Sequence, residues 1–152
     1  MGLSMTFRLP RVASKESRRL NFKRYSPLHK RTNALLSIKP EFADAIFRGE
    51  KRYEFRRSVF QRPVQVVVVY ITSPICHVAG EFDVVEVISD TVEHLWFRTH
   101  AQAGIDRDRF LKYFAGCRKG YAIAIGNVRQ YPNPLDLHTS FGVKPPQSFV
   151  YV

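Results

Sequence analysis

Four charged residues in one short stretch have the types and spacing to act on a nucleotide. In LLSIKPEFADAIFRGEKRYEFRR, residues 35–57, Lys39 stands directly before a short helical pattern and Lys51 closely after it, while Glu54 and Arg56 follow two residues apart. Two ammonium groups brought to one surface suit a phosphate or a base. A carboxylate accepts from a base amino group, and a guanidinium makes paired bonds to a phosphate or a guanine edge. In a regular strand Glu54 and Arg56 share a face and Lys51 falls on the other, so Lys51 joins them only if the turn after Gly49 redirects it. The competing reading is a solvated charged strand in which Glu54 pairs with Arg52 or Arg56.

The elements that must position these groups read as an α+β domain. Residues 33–38 have the pattern of a short buried strand. Pro40 suits the first helical position, Glu41 complements the helix N-terminus, Phe42, Ala45 and Ile46 share a face, and Gly49 stops the helix after about Arg48. A strand follows over 52–57, and residues 64–71, with four consecutive valines, read as a strand buried on both faces. Thr72, Ser73 and Pro74 form a turn. Residues 77–88 read as the next strand, with Gly80 a bulge or close backbone approach. Asp90 or Thr91 caps a helix reaching about Ala101, and Asp106 caps a shorter one that Gly116 ends. Residues 119–128 alternate as a strand, PNPLDL reads as an irregular connection, and a last strand begins near Gln147. Helices scattered among strands without regular βαβ repeats favour a small mixed sheet curled towards a barrel.

The chain of 152 residues carries a formal charge of +11, but unevenly. Residues 1–33 hold nine Lys and Arg against one acid, Glu16, while the remainder holds fifteen basic and twelve acidic side chains. The leader has few large apolar residues to offset its ordering entropy and reads as a disordered basic arm preceding a domain over 34–152. Three roles stay open for it: a tether to nucleic acid or an anionic surface, an organellar transit peptide, or a solvated tail. It lacks the apolar segment of a secretory signal. No apolar run approaches the roughly 18 residues of a membrane span. Cys76 and Cys117 have no disulfide or zinc spacing and read as free thiols in a reducing, cytoplasmic compartment. The histidines at 77, 94, 100 and 138 are dispersed, and no P-loop or dinucleotide glycine pattern occurs, so neither a metal nor a cofactor is expected. Trp96, between Leu95 and Phe97, reads as packing; Arg118 and Lys119 read as a solvated turn.

Taken with VAGEFDVVEV, KGYAIAIGNV and the closing PPQSFVYV, the 35–57 stretch resembles the ASCH domain family, whose members have a PUA-like β-barrel. The resemblance covers residues 34–152, with its G-x-K-x-x-E-x-R motif at Gly49, Lys51, Glu54 and Arg56. It implies a small PUA-like β-barrel with flanking helices, and a cleft beside the first helix lined by the charged motif residues. It also implies RNA or a nucleotide as partner. Tyr70 and Ser73, where the valine strand exits, and Gln147 and Ser148, where the last strand opens, are placed near the cleft by the resemblance. There Gln and Ser would read a base edge and Tyr would stack on it. The residues alone suit a core tyrosine and a polar strand end equally well.

Some members of this family resemble acyl-cytidine hydrolases, which call for a Lys, a Thr three residues on, and a Glu on a later strand. The corresponding residues are Lys51, Glu54 and Glu81, and a carboxylate does not replace a hydroxyl nucleophile. Glu81 lies on an otherwise apolar strand, so its pKa is expected to rise unless a cation sits beside it, with Lys51 the candidate. Lys51 between two carboxylates retains the capacity for acid/base work on water or a ribose hydroxyl. A binding module with a nucleotide cleft, a small hydrolase (ribonuclease or amidohydrolase) using Lys51 with Glu54 or Glu81, and a protein-interaction module all stay open. The oligomeric state is not legible.

Overall fold

The computed structural model describes residues 31–152. Most of the expected basic arm therefore lies outside the described residues. Thr32 and Asn33, at its end, already bond to the sheet, accepting from the backbone N–H groups of Gln65 (3.1 Å) and Val152 (3.0 Å) respectively.

The chain runs β1 (Asn33–Ile38), α1 (Pro40–Phe47), β2 (Tyr53–Arg56), β3 (Val66–Ile71), β4 (His77–Thr91) and α2 (Val92–Thr99). A 3₁₀ turn (His100–Gln102), α3 (Arg107–Tyr113), β5 (Lys119–Leu135), α4 (Leu137–Phe141) and β6 (Phe149–Tyr151) follow. All six strands form one sheet in the order β2-β5-β4-β3-β1-β6, in which only β1 and β3 pair in parallel.

The unbroken apolarity of β3, and the apolar run Ala34–Leu36 of β1, follow from the two cores they serve. Leu36, Ile38, Val67 and Val69 pack with Phe82, Ile123 and the α1 residues Ala43 and Ile46. Their alternate neighbours Leu35, Val68 and Tyr70 pack with Val78 and Leu137. The period-two geometry of a strand thus sends successive side chains into different clusters. A third cluster joins α2 and α3 to the sheet through Phe55, Leu95, Phe110 and Phe114, with Phe55 edge-on to Phe110 at 4.9 Å.

Register shifts along β4 bend this sheet into a half-barrel. Gly80 sits at one of them, so close to the Arg129 carbonyl and the Phe47 ring that a Cβ there would overlap both. The curl brings the two edge strands near enough for side chains to bridge them. From β2, Arg56 donates to the Ser37 carbonyl of β1 (2.9 Å) and to the Ser148 carbonyl just before β6 (3.4 Å). Phe60 stands edge-on to Phe149 at 5.8 Å, and the Tyr151 hydroxyl accepts from the backbone N–H groups of Gln61 and Arg62.

Two expected boundaries are corrected. β4 continues to Thr91, whose hydroxyl accepts from the His94 N–H and caps α2, while Asp90 receives the Thr91 N–H and holds Arg98. β5 continues through PNPL to Leu135, and Asp136 caps the unexpected α4 by accepting from Thr139. The prolines are tolerated because the pairing with β4 is interrupted between Gln130 and Leu135, so neither is asked for a ladder N–H there. Among the described residues, no helix is long and apolar enough to cross a membrane.

Candidate functional site

A cavity of about 430 Å³ opens between α1, β2 and α3. Lys51 lies in its wall because the chain reverses immediately after α1. Gly49 adopts φ +77°, and the N–H groups of both Glu50 and Lys51 donate to the Ala45 carbonyl. That turn redirects Lys51 to the side of Glu54 and Arg56. Gly104, also left-handed at φ +62°, lays its backbone against the Lys51 stem, leaving no room for a side chain.

Lys51 is 2% exposed. Its Nζ donates to the Ala103 carbonyl at 2.9 Å, lies 3.9 Å from Glu54 Oε2, and sits over the rings of Phe42 (5.0 Å) and Phe55 (4.7 Å). A desolvated ammonium gains about 2 kcal/mol from an aromatic face, which partly offsets its burial. Burial still dominates and lowers the Lys51 pKa below the ordinary 10.5; Glu54 opposes the shift and Arg56 adds to it. The group is thereby brought nearer to acting as a neutral amine.

Glu54 stands between two cations, with Arg56 Nε 3.4 Å from its Oε1. That nitrogen is buried and off hydrogen-bond geometry, so it has no hydrogen-bond partner among the described residues. Arg56 spends its terminal nitrogens on the backbone, as described above, and is fixed in place. The expected Glu54–Arg56 pair is present but buried, not solvated. Around the mouth stand Lys39, Arg109, Lys112 and Tyr113. Arg109 pairs with Glu41 at 2.6 Å and lies over Phe42, while burial raises the Tyr113 pKa and keeps its hydroxyl a proton donor.

The ASCH domain model matches residues 36–132, more than half of the chain. The chain belongs to the ASCH domain family. An ASCH domain-containing ribonuclease of Zymomonas mobilis is 29% identical over 127 residues, covering 80% of this chain and 85% of that protein. The crystal structure of ASCH from Zymomonas mobilis has a TM-score of 0.73 at 27% identity, covering 79% of this chain and 87% of that one. Two Ureaplasma parvum proteins, named ATP synthase subunit alpha and large ribosomal subunit protein uL22, are each 30% identical over 119 residues. This chain spans 15% and 38% of their respective lengths, so the match is to part of each. The half-barrel with flanking helices is the PUA-like architecture expected of the family.

Within this ASCH domain Lys39, Lys51, Glu54 and Arg56 converge on the cavity, and the other expected residues do not line it. Tyr70 is 5% exposed in the core with Leu35 and Leu137, and Ser73 is exposed in the turn after β3. Gln147 is exposed; Ser148 contributes its carbonyl to Arg56. Glu81 is bound by Arg129 (2.7 Å) and the Tyr131 hydroxyl (2.7 Å). Those partners outweigh its partial burial and lower its pKa, so the cation beside it is Arg129 and not Lys51. Trp96 packs 5.0 Å from Phe110, and Arg118 and Lys119 are exposed. Sequence reasoning missed Arg109, Lys112 and Tyr113, whose i, i+3, i+4 spacing marks one face of α3. Nothing local shows that this face meets α1 and β2.

Proposed function

We propose that this ASCH domain binds single-stranded RNA by admitting one nucleotide into the cavity beside α1. The observation that carries the reading is the Glu54 carboxylate on the cavity wall, which lacks a hydrogen-bond donor. Among the described residues, the Glu54 carboxylate is held by the charges of Lys51 (3.9 Å) and Arg56 (3.4 Å) and receives no hydrogen bond. A base edge presenting an amino or imino donor satisfies that carboxylate. Lys39 and Lys112 at the mouth then meet the flanking phosphates, and the volume suits one nucleotide. The ribonuclease named among the relatives supports RNA as the class of ligand. The basic residues of 1–33 add sequence-independent, salt-sensitive affinity. Fluorescence anisotropy with a short RNA tests this: Glu54→Gln is expected to weaken binding about tenfold or more, and unchanged affinity contradicts it.

A second reading adds cleavage, and the lowered Lys51 pKa favours it. In its unprotonated form Lys51 takes the proton of a ribose 2′-hydroxyl, whose oxygen attacks the adjacent phosphorus. The bond to the 5′-oxygen breaks, leaving a cyclic phosphate and a 5′-hydroxyl that takes its proton from Lys112 or Tyr113. Lys51→Met then abolishes time-dependent product while the protein remains folded. Undiminished product from that variant rules the step out. Hydrolysis of an acylated base has less support, because Glu54 stands where a hydroxyl nucleophile is required.

A further inference from the structure

A second concavity of about 380 Å³ lies outside the nucleotide cavity, between the outward faces of α2 and α3. Glu93, Trp96, Phe97 and His100 repeat at i, i+3, i+4 and i+7 along one side, and Arg107 and Leu111 at i, i+4 along the other. Phe97 is 79% exposed, the most exposed large apolar side chain among the described residues, and it lines the groove with Trp96 and Leu111. Isolated apolar residues on a surface are ordinary; one projecting beside a groove with apolar walls is not.

The charges identify the occupant. Arg98 pairs with Asp90, and Arg109 pairs with Glu41, whereas Glu93 and Arg107 have no ion-pair partner among the described residues. They face the same groove with opposite sign. A polyanion seated there would meet Glu93, which disfavours nucleic acid. A second copy related by a two-fold axis would bring Glu93 of each chain towards Arg107 of the other and each Phe97 ring towards the facing groove.

We propose that the α2–α3 groove is a self-complementary interface through which two copies of this chain associate, with Phe97 as the anchor. Sedimentation equilibrium of the full-length protein over a concentration series tests it, with circular dichroism as the check on folding. Wild-type protein is expected to form dimers that Phe97→Asp dissociates, raising the midpoint concentration about tenfold or more. Glu93→Arg or Arg107→Glu alone weakens the dimer, and the two together restore it. A wild-type protein monomeric through the high-micromolar range overturns the proposal, as does a dimer indifferent to Phe97→Asp. Loss of RNA affinity in Phe97→Asp without a change in mass also overturns it and makes the groove an RNA track.

Discussion

Burying an ammonium costs several kcal/mol unless hydrogen bonds and neighbouring charges compensate it, and Lys51 has one carbonyl, one carboxylate at 3.9 Å and two aromatic faces. The residual cost lowers its pKa, which has a thermodynamic consequence. Between the folded pKa and the unfolded value near 10.5, the unfolded chain holds a proton that the folded chain has lost, so stability rises with pH across that window. Below the window both states are charged and the burial cost is present in full. Urea unfolding at about pH 8 and about pH 10 is therefore expected to show wild-type protein gaining stability relative to Lys51→Met; parallel profiles contradict the assignment. Lys51, Glu54 and Arg56 stood out as site candidates by residue type and spacing, but their burial was not legible. It depends on Gly104 and Ala103, which lie about fifty positions along the chain and carry no local signal of where they pack.

The half-barrel depends on contacts between its edges as well as on its ladders. Arg56 on β2 reaches the carbonyls of Ser37 and Ser148, and its removal leaves Glu54 buried beside Lys51 alone. Arg56→Met is expected to destabilise the fold by about 3 kcal/mol in denaturant unfolding. A loss below about 1 kcal/mol would show that the edges hold without it. Gly104→Ala tests the loop before α3: a methyl group there collides with the Lys51 stem in a left-handed backbone, so RNA affinity and stability fall together. Unchanged affinity and stability would remove Gly104 from the site. β1, α1 and β3 were legible because Pro40 at the helix start, the Gly49 stop and a dense valine run agree locally. The distal part of β5 and α4 were not, because Pro132 and Pro134 mimic a loop unless the interrupted pairing is known.

The proposed RNA binding draws on two separate sources of positive charge. In that proposal the cavity sets a few fixed groups around one nucleotide, and the nine Lys and Arg of residues 1–33 add sequence-independent attraction. Replacing Arg18, Arg19, Lys23 and Arg24 by Gln in the full chain is expected to lower the slope of log affinity against log salt by up to about 3 and to leave the effect of Glu54→Gln intact. An unchanged slope would remove those four residues from the RNA contact. The family was legible in ordered motifs spread along the chain. The assembly of the cavity mouth from α3 was not, because three strands and two helical elements separate that helix from α1. The most direct test of the nucleotide site is photo-crosslinking of the full-length protein to a thiouridine-substituted single-stranded RNA, with the adducts mapped by mass spectrometry. Adducts on the cavity segments 37–56 and 105–113 are the predicted result. Adducts confined to residues 1–30, with the cavity segments unlabelled, would contradict it.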